Sequence, residues 1–405
     1  MNKIKLPIPI FDSIDYLDKH DFLYLGEDYY LKDIKIAILF LKSYQDAQGT
    51  FNSYRREIER LLQWSALVAK KPLSKLKRDD IESFIKFCQK PPKKWIGLSK
   101  PAKFIVKNGK REPNSEWRPF LATLSKAARR KGELLEKSKF ELSNGSIKEM
   151  FAILSSFYNY MLQDEYIYMN PVALIRQKSK FIRKRQSQIK IRRLSEIQWD
   201  YVIKTTEELA EEKPDLFERS LFILSALYSM YLRISELTAT ERWIPQMNDF
   251  SRDSDGNWWF TTVGKGNKER EIAVSNSMLK ALRRWRKFLG LSAIPTPTDN
   301  SPLIPKVKGS GPIKSTNYIR RIVQKSFDLA VEKLNIDGFS DEAEMLNEAT
   351  VHWLRHTGIS DDIKIRPREH VRDDAGHSSS ATTDRYIDIE KRERHQSAKK
   401  KTISE

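Results

Sequence analysis

The chain has 405 residues, of which 73 are lysine or arginine and 54 are aspartate or glutamate, giving a formal net charge of +19. A hydrophobic content of 40% is enough for packed cores, which excludes a disordered polycation, and the length predicts two or three domains. The single cysteine, Cys88, excludes a disulfide within the chain and a cysteine-based zinc site, while the excess positive charge favours a polyanionic partner such as nucleic acid.

The N-terminal stretch MNKIKLPIPIFDSIDYL is predicted to be an arm, residues 1–30. Its prolines and early aspartate interrupt the apolar run that a signal peptide needs, and no later stretch is apolar for long enough to cross a bilayer. We therefore expect a cytoplasmic protein that makes no membrane contact.

Residues 31–175 are predicted to form one helical domain. The stretches DIKIAILFLKSYQ, TFNSYRREIERLLQWS and DDIESFIKFC each carry apolar residues at helical spacing. A further helix is predicted over SIKEMFAILSSFYNYM, where Ser146 and Glu149 have the spacing of a capping box, and Asn170 and Pro171 are expected to close the domain.

An insertion near 89–141 interrupts this domain. It is rich in proline, lysine and glycine and shows no sustained period, which predicts a long solvated loop. A contact element for nucleic acid is the alternative interpretation.

The second half begins after a basic segment, RQKSKFIRKRQSQIKIRR, at residues 176–193. It contains no acidic residue and no apolar period, so we interpret it as an interdomain linker that lies along phosphates, with a merely soluble linker as the alternative. Residues 194–390 mix helical patterns with one hairpin, WWFTTVGKGNKEREIAV, built around a Gly-Lys-Gly-Asn turn. Residues 391–405 form a basic, polar tail with no core-forming face.

The segment VHWLRHTGIS places His352, Arg355 and His356 on one helix face, because residues three and four apart are neighbours there. An anion or a metal ion would fit such a face. Zinc is disfavoured, since no convincing third ligand is present and Arg355 would repel a cation.

Six residues of the second half would together form a pocket that binds and cleaves a phosphodiester. They are Arg233, Lys265, His352, Arg355, His377 and Tyr386. Guanidinium forks hold non-bridging oxygens and stabilise the charge that grows in a pentavalent transition state. A base would take the phenol proton so that the tyrosine attacks phosphorus, and the lysine would protonate the departing sugar oxygen. Duller interpretations remain: an exposed ion pair of Arg233 with Glu236, and a half-buried core tyrosine at 386.

The motifs around these residues resemble those of tyrosine recombinases of the phage-integrase family. The family pattern is an arginine before a Ser-Glu-Leu, a hairpin lysine, His-x-x-Arg, Gly-His and a tyrosine about nine positions later. Here the pattern is found, in order, as LRISEL, GKGNKER, HWLRH, GHSS and TTDRY. Where the family usually has a glycine before the first arginine, this chain reads YSMYLRIS. Lys268 and His370 compete with Lys265 and His377 for their positions.

The resemblance implies a mainly α fold with a small β-sheet, arranged as a two-domain C-shaped clamp: a helical core-binding domain plus an α+β catalytic domain on duplex DNA. TFNSYRREIERLLQW is similar to the first DNA-clamping helix of that core-binding domain. It also implies site-specific cutting and rejoining of DNA through a 3′-phosphotyrosyl intermediate, without metal, nucleotide or other cofactor, in integration or excision of a mobile element on the nucleoid.

Further implications of the resemblance are a homotetramer on paired sites and accessory DNA-bending proteins as possible partners. His352 is expected to accept a proton and Arg355 to clamp a phosphate, with His356 as a supporting group. Two other functions are weighed: a type IB topoisomerase, disfavoured by the integrase-like helical domain, and a DNA-binding protein of the same fold without activity, disfavoured by the intact set of six residues.

Overall fold

A computed structural model describes most of the chain in two compact units, Met1–Ser187 and Gln188–Glu405. The residues it describes are 5–17, 19, 28–130, 132–178, 192–241, 243–264, 268–377, 379, 383 and 398–399. Lys265 and Tyr386 lie outside them, as do residues 179–191 of the predicted linker and nearly all of the predicted tail.

The described part of the first unit is mainly helical. Its helices are α1 (Asp28–Lys42), α2 (Gln48–Trp64), α3 (Arg78–Gln89), α4 (Lys126–Arg130), α5 (Asn144–Gln163) and α6 (Pro171–Lys178). The apolar stripes of α2 and α5 meet in its core, where Phe51, Ile58, Phe151 and Phe157 are fully buried. The helices predicted from apolar spacing in this unit are therefore confirmed.

Two predicted boundaries are wrong. The N-cap of α5 is Ser143, three residues before the predicted N-cap Ser146. The hydroxyl of Ser143 accepts the backbone N–H of Ser146, which is the third residue of the helix. Asn170 does not end the unit, because its side-chain oxygen accepts from the backbone N–H groups of Val172 and Ala173 and so caps the start of α6. Pro171 follows as the first helical residue, where a missing N–H costs nothing.

The insertion is folded, which corrects the prediction of a solvated loop. Its strands are β1 (Ile96–Gly97), β2 (Phe104–Lys107), β3 (Lys110–Pro113) and β4 (Phe120–Leu121), with β1 parallel to β4 and β2 antiparallel to β3. Trp95 and Phe120 are fully buried in the same core as α2 and α5. Aromatic side chains spaced this widely give no period, because only the folded chain brings them together.

The described part of the second unit surrounds one small sheet with helices. The helices are α7 (Glu196–Glu212), α8 (Pro214–Ser229), α9 (Asn276–Phe288), α10 (Thr316–Ile336), α11 (Ser340–Asn347), α12 (Val351–Asp362) and α13 (Arg368–Ala375). The strands β5 (Phe250–Arg252), β6 (Trp258–Val263) and β7 (Glu269–Ala273) pair in that order, all antiparallel. The β6–β7 hairpin is as predicted, and β5 is an additional strand.

Helix α8 lies at the centre of this unit and packs against α7, α9 and α12. Its core-facing side chains include Phe222, Ile223 and Leu227. The predicted class, mainly α with a small sheet, is confirmed. No described helix is long and apolar enough to span a membrane.

The crossing of α8 and α12 depends on Gly358. A Cβ atom there would overlap the backbone oxygen of Tyr228 and stand 3.2 Å from the Tyr231 ring, so the two helices approach at a distance that only glycine permits. The turn of α12 that carries Arg355 therefore lies close to the C-terminal end of α8.

We predict that Gly358→Ala lowers the free energy of unfolding by roughly 3 kcal/mol, because the added methyl group must push two packed helices apart. Thermal and urea unfolding followed by circular dichroism would measure it. Gly49→Ala is the matched control, since this helical glycine has no heavy atom within 4 Å of an added Cβ and its replacement should leave stability unchanged or slightly raised. Equal stability of the two variants would contradict the packing argument.

Candidate active site

Arg233 lies at the start of a short 3-10 helix, Ile234–Leu237, directly after α8. Its backbone N–H donates to Glu236 Oε2 at 2.7 Å, and its Nη1 donates to Glu236 Oε1 at 2.9 Å. Glu236 is buried with 1% exposure, whereas the Arg233 side chain keeps 30%. The ion pair of Arg233 with Glu236 is therefore not an exposed one: its carboxylate is buried, while the guanidinium side remains partly exposed.

Arg270 is a third site arginine that the sequence analysis missed. From β7 it donates through Nη1 and Nη2 to both oxygens of Glu236, at 2.7 and 2.9 Å, and through Nε to the Asp374 carbonyl at 3.0 Å. Burial alone would raise the pKa of Glu236, but the hydrogen bonds and charges of Arg270 and Arg233 bring that pKa below its usual value. The sequence of β7 could have indicated this role, because side chains alternate between the two faces of a strand and Arg270 lies on the same face as buried Ile272.

Arg355 is buried with 2% exposure on α12. Its Nη1 donates to the Tyr231 carbonyl after α8, and its Nη2 donates to the Ala375 carbonyl at the end of α13, at 2.6 Å. The same Nη2 lies 3.3 Å from Nε2 of His377. Two backbone carbonyls from different elements therefore fix the plane of this guanidinium.

His377 is held on both sides of its ring. Because a guanidinium only donates, Nε2 is the acceptor toward Arg355, which leaves the proton on Nδ1 for the hydroxyl of Thr383 at 2.9 Å. Burial, followed by the charges of Arg355, Arg233 and Arg270, lowers the pKa of His377 to about 4. The imidazole is neutral at pH 7.

His352 belongs to the same cluster. Burial, with the charges of Arg355 and Arg233, lowers its pKa, so it is neutral at pH 7 and able to accept a proton. Its ring stands edge-on to His356 at 4.2 Å between centroids, and the pKa of His356 is lowered to about 4 by burial and then by electrostatic interaction with His352, Arg355 and His377. Over the described residues, no group of three or more His, Cys, Asp or Glu side chains is placed to hold a metal ion.

The structure thus brings together four predicted residues, Arg233, His352, Arg355 and His377. Lys265 and Tyr386 lie outside the described residues, but described positions near both reach the cluster. A Cβ atom on Gly264, the residue before Lys265, would stand 3.3 Å from Arg233 Nη1. Thr383, three residues before Tyr386, contacts His377.

The two competing residues lie on the surface. His370 is an exposed residue of α13, and Lys268, which directly precedes β7, is also exposed. Lys268 accepts the backbone N–H of Gly264 through its carbonyl oxygen at 2.8 Å, so its main chain closes the hairpin.

Tyr231, two residues before Arg233, has a backbone φ of 49°, the left-handed region that glycine adopts most easily. It stands where the sequence pattern expects glycine. Its hydroxyl donates to Asp362 and accepts from Arg366 Nη1 at 2.9 Å, and Arg366 in turn pairs with Asp374 at 2.6 Å. Tyr231 therefore ties the carbonyl that holds Arg355 to the ends of α12 and α13.

No family model matches the sequence. Tyrosine recombinase XerC of Xanthomonas axonopodis pv. citri (strain 306) is 26% identical over 251 residues, which make up 62% of this chain and 69% of that protein. Tyrosine recombinase XerC of Treponema denticola (strain ATCC 35405) is 25% identical over 272 residues, 64% of this chain and 76% of that protein.

Two solved structures share the fold. The XerH site-specific recombinase bound to palindromic difH substrate, a post-cleavage complex, matches with a TM-score of 0.52 and 14% identity, covering 91% of this chain and 89% of that one. A lambda integrase tetramer bound to a Holliday junction matches with a TM-score of 0.50 and 13% identity, covering 93% and 84%.

We predict that Tyr231→Phe lowers the free energy of unfolding by about 1–3 kcal/mol, because the half-buried carboxylate of Asp362 and the guanidinium of Arg366 lose a shared partner. Urea unfolding would measure the change. Tyr228→Phe is the control: its hydroxyl also donates to a carboxylate, Asp361, at 3.0 Å, but it is less buried and should cost less. A larger loss in the control would refute a structural role for the Tyr231 hydroxyl.

Proposed function

We propose that the chain is a tyrosine recombinase of the phage-integrase family, supported by its similarity to XerC proteins, and that it cuts and rejoins duplex DNA at specific sites. The reaction passes through a 3′-phosphotyrosyl intermediate and integrates or excises a mobile element. The observation that carries the proposal is the cluster of Arg233, Arg355, His352 and His377, a cationic pocket built with neutral imidazoles beside fixed guanidiniums.

Each residue of the pocket has a proposed role. Arg355 and Arg233 hold the non-bridging oxygens of the scissile phosphate and stabilise the charge that develops on them. Neutral His352 takes the phenol proton of Tyr386, whose oxygen attacks phosphorus as the bond to the 5′ oxygen breaks. Lys265 gives a proton to that oxygen, and His377 holds Arg355 in position beside the phosphate.

The same steps in reverse rejoin a strand. A 5′-hydroxyl attacks the phosphotyrosyl bond, the phosphodiester re-forms, and the tyrosine recovers its proton, so the bond energy is conserved and no ATP is consumed. The arginines and the lysine supply the electrostatic stabilisation that a metal ion supplies in other nucleases, and we propose that neither metal nor other cofactor takes part.

We propose duplex DNA as the partner, in keeping with the net charge of +19. We further propose a homotetramer on two paired sites, assembled through the tail 391–405, with accessory DNA-bending proteins and a location on the nucleoid in the cytoplasm. The C-shaped clamp around DNA stays a prediction.

A suicide substrate, nicked near the cleavage site so that the short fragment is lost, tests the nucleophile. Wild-type protein should form a covalent adduct in EDTA, and Tyr386→Phe should bind the same duplex equally well and form none. The adduct is read as a shifted band on a denaturing gel.

Three outcomes of that test, and one of a plasmid assay, would contradict the proposal. Adduct formation by the Phe variant would exclude Tyr386, and adduct that needs added Mg²⁺ or Zn²⁺ would bring back a metal site at His352 and His356. Binding without any adduct, even by the wild type, would favour a DNA-binding protein without activity. Relaxation of supercoiled plasmid without strand exchange would favour a topoisomerase.

Arg233→Lys should reduce the cleavage rate by roughly 10²-fold or more while leaving DNA affinity nearly unchanged. The lysine ammonium keeps the positive charge but cannot donate two parallel hydrogen bonds to a phosphate as a guanidinium does. Single-turnover cleavage of the same substrate measures it. Arg284→Lys is the matched control, since Arg284 also pairs with a buried glutamate, Glu218, but is not part of the cluster. If both variants cleave at the same rate, Arg233 is only a structural ion-pair residue.

A further inference from the structure

The β2–β3 hairpin belongs to the insertion, which the sequence patterns left unassigned. We propose that the tip of this hairpin, Lys107–Lys110, binds the phosphate backbone of the target duplex as a contact separate from the catalytic cluster. The inference rests on the DNA-cleaving function proposed above and names a part of the chain that would hold the substrate.

Ion pairs with two buried carboxylates fix the hairpin, one before its base and one next to its tip. Lys103, next to β2, pairs with Glu59 of α2, and Arg111 of β3 pairs with Asp12 through two nitrogens. Glu59 and Asp12 are almost fully buried, and Glu59 also accepts the backbone N–H of Ile10 at 2.6 Å. The charges of Lys103 and Arg111 are therefore neutralised by carboxylates of the same unit, and the hairpin is held in a fixed position up to the residue pair before its tip.

The charges at the tip are not neutralised. Lys107 and Lys110 are the last residue pair of the ladder, directly opposite each other, and both are exposed. No described carboxylate lies within ion-pair distance of either. Like charges directly opposite on paired strands destabilise a hairpin. A phosphate between the two ammonium groups would remove that repulsion.

The turn at the tip is built to present these two lysines. Asn108 and Gly109 have φ values of 51° and 74°, as a two-residue turn with both central residues left-handed requires. This turn matches the twist of the strands, so the ammonium groups stay on a well-defined ribbon end.

The shape of the hairpin also favours a groove-bound partner. It pairs as a two-stranded sheet, a form that is only marginally stable alone, and its faces expose Ile105 and Val106, the latter by 68%. Strands of four residues make a ribbon ~13 Å long. Because Arg111, opposite Val106, is bound to Asp12, the tip is the part of the ribbon that would reach the duplex, and its two lysines would meet the phosphates at the edge of a groove.

Lys107→Glu separates binding from folding. The new carboxylate would face Lys110 across the ladder, so the hairpin should be as stable as before or more so, while the tip loses its net positive charge. We expect the slope of log affinity against log salt to fall in magnitude by about 2, and affinity in 0.1 M salt to fall at least tenfold. Adduct yield at saturating protein should be unchanged.

Lys86→Glu is the matched control. Lys86 and Lys90 are exposed, four residues apart at the end of α3, so the substitution makes the same charge change and also creates a Glu–Lys pair in the same unit. Its salt slope should fall by much less than that of Lys107→Glu.

The possible results distinguish a failure of the hairpin contact from a failure of the proposed function. Equal slopes for wild type and Lys107→Glu, with wild-type adduct present, would overturn the hairpin contact and leave the recombinase function standing. An unchanged slope for a single site, with loss of only the paired-site complex, would also overturn it, by placing the tip against a second copy of the chain. Absence of adduct in the wild type would instead be a failure of the proposed function itself.

Discussion

The buried carboxylate of Glu236 holds the candidate active site together. Arg233 and Arg270 lie beside each other only because both bind it, and without it two desolvated guanidiniums would repel. With Arg355, the cluster has three guanidiniums and one carboxylate, an excess of two positive charges (3 − 1 = +2). In the proposed reaction, a phosphodiester attacked by a phenolate would carry two negative charges, which an excess of positive charge at this cluster would stabilise.

Burial and the same positive charges keep the histidines of the cluster neutral. His352, His356 and His377 all have lowered pKa values, with burial as the main cause and neighbouring arginines adding to it. A pocket of protonated histidines would bind phosphate more tightly in the ground state but would contain no base. Arginines, which do not titrate, provide the charge, and this leaves the imidazoles free to exchange protons.

Sequence reasoning succeeded where the information is local. Helical periods, the antiparallel pairing of β6 with β7 and the shared face of His352 and Arg355 depend on residues close together in the chain, and the structure has all of them. It failed where the deciding partner is distant in the chain. Trp95 is buried in a core that includes helices on either side of the insertion. Arg270 is positioned by a glutamate 34 positions earlier in the chain, and the conformation of Tyr231 is fixed by side chains more than 130 positions later.

The left-handed backbone at Tyr231 shows why such distant partners matter. A non-glycine residue in this conformation is costly, and it persists only when its surroundings determine it more than once. Here the hydroxyl is fixed by Asp362 and Arg366, and the carbonyl is fixed by Arg355. Because Arg366 also binds Asp374, whose carbonyl accepts from Arg270, the strain at one residue is tied to both arginine systems. A shift of α13, which leads toward His377, would therefore move the guanidinium that the phosphate is expected to meet.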